Sequence, residues 1–186
     1  MLIVQPWAIL SGRRRLHVCL GRISVLLALL VVVGFVGLAH ASMQGKSPQG
    51  QATDAYFFYI RVVLVTIFVF TYVMGLINRA DTPVHSRYMV CTGLPLIDPV
   101  VHRIAQRTMN GADLNYQLLT FGTVCAILLL MMFVERGARS GKNVFPTVLT
   151  AFIVGGIPLA FDFYTWGTPW LIWKSVSSRF ATLPLL

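Results

Sequence analysis

The histidines and one charged stretch hold most of the reactive chemistry in this chain. His17 precedes a long apolar run and His40 closes it. His85 and His102 flank the apolar middle of residues 79–107, RADTPVHSRYMVCTGLPLIDPVVHRIAQR. Two histidines on neighbouring helices are a common way to hold a b-type haem, and Arg22, Arg87 or Arg103 would serve its propionates. The same stretch carries Asp98 four residues before His102, and Asp162 follows near the last apolar run. Carboxylates and imidazoles in apolar surroundings also line proton- and ion-coupled transport paths. On a helix at 100° per residue, Arg87, Cys91, Asp98 and His102 share one stripe, and Asp98 reaches His102 one turn on. A plainer reading makes these residues a satisfied polar cluster, with Arg103 beside it, that locks helix packing.

Other chemistry is excluded by pattern. The chain contains no GxSxG, GxxxxGK[ST] or GxGxxG motif. Cys19, Cys91 and Cys125 have no CxxC spacing, which argues against both a zinc site and a disulfide framework. They read as reduced thiols behaving as small hydrophobes.

The elements that position these residues follow from composition. Of 186 residues, 56% are hydrophobic and 11% charged, and mean hydropathy is +0.74, too apolar for a soluble domain of this length. The reading is a single all-α integral membrane domain, 1–186. Its helices lie at about 23–40, 56–77, 86–106, 114–134 and 144–161, with an interfacial tail over 163–186. The net charge of +9 does not indicate nucleic acid, because the basic residues cluster at the ends of apolar runs. There they set topology and meet anionic lipid headgroups. Arg13, Arg14, Arg15 and Arg22 before the first run place the N-terminus on the cytoplasmic side of the inner membrane. A cleaved signal peptide ending at Ala39-His40-Ala41 is the rival reading of that run. Arg61 reads as a snorkelling anchor, and Gly155, Gly156 and Pro158 predict a bent or unwound last span. Trp166, Trp170 and Trp173, at helical spacing, predict an aromatic belt.

The stretch 86–106 decides between five spans and four. Its apolar middle, residues 88–101, covers roughly 21 Å as helix against roughly 30 Å of hydrocarbon. A re-entrant dip needs two legs and a tight turn, for which only Gly93 is available. A full crossing kinked at Pro95 and Pro99 is the favoured reading. His17 and His85 lie at the cytoplasmic face in either case, and with a full crossing His40 and His102 lie at the opposite one.

Short motifs carry a resemblance. His17-Val18-Cys19-Leu20-Gly21 before an apolar helix resembles the His-x-x-Leu-Gly element of certain uncharacterised bacterial multi-pass membrane proteins. His85-Ser86-Arg87-Tyr88-Met89 resembles their second element, His-x-Arg-x-Met, and Arg103 matches a downstream arginine. The resemblance covers roughly residues 5–105. It implies that residues 5–12 end a preceding apolar helix, so that the chain is truncated or starts late. It implies no activity. The expected function is therefore a non-catalytic membrane bundle or accessory subunit, partnered by a second copy or another membrane protein. A haem protein and an ion-coupled transporter are the alternatives.

Overall fold

The computed structural model describes residues 7, 11–43, 50–108, 116–137, 141, 143–160 and 168–183. Among them the chain is helical and contains no strand: α1 is Arg14–Met43, α2 Gly50–Ile77, α3 Thr82–Cys91 and α4 Leu94–Thr108. Then come α5 (Tyr116–Val134), α6 (Val144–Ala160) and α7 (Thr168–Ala181). Three segments are long and apolar enough to cross a membrane: Arg14–Met43, Ala55–Ile77 and Gln117–Val134. Val144–Gly156 is apolar and shorter.

Two boundaries lie outside the apolar runs. Gly12, at φ 69°, turns the chain just before α1, which starts within the arginines rather than at residue 23. Arginine is a good helix former, so hydropathy marks the apolar part of this helix and not its end. For the same reason α2 begins in the polar residues at Gly50 rather than at 56.

The stretch expected as one kinked helix is two. Pro95 cannot donate to the carbonyl four residues back, and its ring crowds that carbonyl. The carbonyl belongs to Cys91, where α3 ends. Thr92 stays right-handed at φ −63° and ψ −22°, and Gly93 N donates to Val90 O at 3.1 Å, a tightened turn before α4. Pro99 lies inside α4, which continues through it.

The chain forms two compact units, Met1–Arg61 with Leu171–Leu186, and Val62–Trp170. In the first, α7 meets the start of α2. Trp173 stacks on Phe58 and meets Tyr59 edge-on, and its indole N–H donates to Ala55 O at 2.9 Å. Arg61, the expected anchor, donates to the Ser42 hydroxyl. Most of α1 presents exposed apolar side chains such as Leu26, Leu30 and Val33.

In the second unit α3 packs on α6, α4 on α5, and α5 on α6. The buried stripe of α5 is Gln117, Thr120, Phe121, Val124 and Leu128, the spacing of one helical face. The expected unwinding at Gly155 and Gly156 does not occur, and α6 remains helical through Pro158 to Ala160. The glycines serve close approach instead. A Cβ on Gly155 would lie 2.5 Å from Val63 Cγ1, and one on Gly156 2.8 Å from Phe121 Cδ1.

Candidate functional site

The residues of the His-x-Arg-x-Met element each hold a neighbouring helix. Asp81 caps α3 by accepting from Val84 N at 3.2 Å, and Pro83 occupies the first turn, so the helix starts in a fixed direction. One turn on, His85 Nδ1 lies 2.6 Å from Gly75 O in α2. A carbonyl only accepts, so Nδ1 carries the proton and donates it. Met89 packs where Gly75 lacks a side chain, since a Cβ there would lie 3.0 Å from its Sδ. Arg87 Nε donates to Glu135 Oε2 at 2.5 Å, just past the end of α5. Arg87 is 12% exposed and Glu135 36%. The guanidinium also takes up the space over Gly141, which at φ 72° turns the chain between α5 and α6.

Asp98 forms the second cluster. It is 4% exposed, against 5% for Gln117 and 0% for Thr120, so all three polar groups are out of solvent. Gln117 Nε2 donates to Asp98 Oδ1 at 2.9 Å, and Thr120 Oγ1 lies 2.5 Å from the same oxygen. Burying a carboxylate costs several kcal/mol unless donors replace water, and these two do so. Sequence reasoning set Asp98 against His102, which acts on it electrostatically from the next turn. The bonds from Gln117 and Thr120 come from another helix and were missed. Their signal was a polar i,i+3 pair at the start of an apolar helix.

The two clusters sit at opposite ends of α5. Gln117 and Glu135 are five turns apart on one face, roughly 27 Å along the axis, and Arg87 and Asp98 span roughly 16 Å of α3 and α4. The segment 82–108 therefore runs antiparallel along α5, bonded at both ends.

The remaining candidates are distributed over the two units. His40 is fully buried and meets Phe180 edge-on. Its Nε2 lies 2.7 Å from Leu183 O, so that nitrogen is committed as a donor. His17 is half-buried, with Nδ1 lacking a hydrogen-bond partner. His17 and His40 belong to the first unit, His85 and His102 to the second. Arg103 is exposed, and Asp162 lies outside the described residues, as does Trp166. Cys91 is buried and Cys19 exposed, both as free thiols. Among the described residues no three His, Cys, Asp or Glu side chains converge as a metal site.

Comparison with protein-family models, curated proteins and solved structures finds no match. Function must be argued from geometry.

Proposed function

We propose that the chain is a multi-pass inner-membrane protein with five crossings and a cytoplasmic N-terminus, acting as a non-catalytic bundle or accessory subunit. One observation carries this reading. Segment 82–108 is tied to both ends of α5, itself long and apolar enough to cross, by Arg87–Glu135 and by Asp98 with Gln117 and Thr120. A re-entrant segment would return to the end it left. The basic residues before α1 support the orientation. A retained first helix is supported by His40, which lies within α1 and bonds near the C-terminus.

The non-catalytic reading rests on where the reactive groups go. His40, His85, Arg87 and Asp98 all bind other helices or the chain end. A second reading, proton-coupled transport, has one observation in its favour. Asp98 is a carboxylate only 4% exposed, held by Gln117 Nε2 and Thr120 Oγ1 between apolar helices, and ionisable groups in such a setting mark proton paths. Proteoliposomes under a pH gradient separate the two. The structural reading gives proton leakage equal to protein-free vesicles, whereas a flux abolished by Asp98→Asn establishes transport.

A further inference from the structure

An open groove of about 320 Å³ runs along the outer side of the Arg87–Glu135 pair. It is at the low end of small-ligand sites, roughly 300–1,000 Å³. Its walls are apolar, from Val90 on α3, Leu130, Met131 and Val134 on α5, and Phe145 on α6. Its polar end carries Ser86, Arg87 and Glu135. The groove thus has an apolar body and one polar end, placed where α5 terminates. That is the depth at which a lipid changes from acyl chain to headgroup.

The charges choose among lipids. Guanidinium and carboxylate lie side by side, so the polar end is a dipole rather than a cationic patch. An anionic headgroup would gain Arg87 and meet Glu135 as a like charge. A zwitterionic headgroup satisfies both, with its phosphate toward Arg87 and its cation toward Glu135. The carboxylate is 36% exposed and open to such a partner. A primary ammonium donates hydrogen bonds to a carboxylate and a quaternary one does not, and charge-assisted bonds are the stronger kind. We infer that this groove binds a phospholipid with a phosphoethanolamine headgroup, its first methylenes lying against Val90, Met131 and Phe145.

The inference rests on the membrane reading. A chain that leaves membranes only in detergent yet shows no lipid preference would remove the site and leave that reading intact. The test is native mass spectrometry of the delipidated full-length protein in micelles doped with dioleoyl phosphatidylethanolamine, phosphatidylcholine or phosphatidylglycerol. Retention of the ethanolamine lipid should exceed both others by roughly tenfold, the effect of one charge-assisted hydrogen bond. Glu135→Gln should erase the preference over phosphatidylcholine. Val90→Trp, which fills the groove and leaves the charges in place, should remove the bound lipid. Equal or stronger retention of phosphatidylglycerol overturns the inference, as does a preference that survives either variant.

Discussion

Arg87 and Glu135 stand 48 positions apart in the chain, and their side chains meet with Nε 2.5 Å from Oε2. The bond fixes the first part of segment 82–108 to the residue just past the end of α5. Asp98, three turns further on, is held at the other end of the same helix. Two polar contacts therefore define a direction for this segment along α5.

The pair itself is of moderate strength. Arg87→Ala should lower stability by about 1 kcal/mol, because Glu135 is partly solvated and screened. Glu135→Gln, which keeps an acceptor, should cost less. Thermal unfolding of the purified protein in detergent measures both. A larger effect for the glutamine variant would mean that the pair is not what holds this end.

Asp98 matters more, because its partners are buried. Asp98→Leu leaves Gln117 Nε2 without its carboxylate acceptor and should cost about 1–3 kcal/mol. Asp98→Asn retains the acceptor oxygen and should be milder. Adding Gln117→Leu and Thr120→Val to Asp98→Leu should recover part of the loss, since an apolar cluster replaces a broken polar one. A triple variant less stable than Asp98→Leu alone would contradict this.

Gly156 tests the close approach of α6 and α5. Gly156→Ala sets a methyl against the stiff Phe121 ring and should cost about 1–3 kcal/mol. Gly122→Ala on α5 meets open space and should be neutral or stabilise by roughly 0.5–1 kcal/mol through helix propensity. The opposite signs are readable in one set of melting curves.

The haem alternative has its own readout. His40 commits Nε2 to Leu183 O, whereas His85 donates Nδ1–H to Gly75 O and keeps an Nε2 lone pair, the tautomer that a haem iron would bind. On the non-catalytic reading, expression with added haem gives no b-type band in a reduced-minus-oxidised spectrum. A band lost in His85→Ala would establish a redox protein instead.

Hydropathy made the helices legible where apolar runs exceed a bilayer's thickness, as in α1, α2 and α5. It could not place their charged ends, because arginine and glutamine continue a helix as readily as they face water. Pro95 announced a disturbance, and the break follows from its distance to Cys91. The importance of Arg87, Asp98 and His85 was visible as polarity in an apolar setting. Their partners were not, because Glu135, Gln117 and Gly75 lie on other helices, and no local spacing links them. His40 bonds a backbone carbonyl 143 positions away, which side-chain pattern does not encode.

The crossing of segment 82–108 is measured most directly by cysteine accessibility. Single cysteines at Ala80 and Arg107, in a background with Cys19, Cys91 and Cys125 replaced, are probed with a membrane-impermeant maleimide on intact cells and on inverted vesicles. The predicted result is labelling of Ala80→Cys only in inverted vesicles and of Arg107→Cys only in intact cells. Labelling of both positions from the same side would mean that the segment returns to the face it left, and the five-crossing arrangement would be wrong.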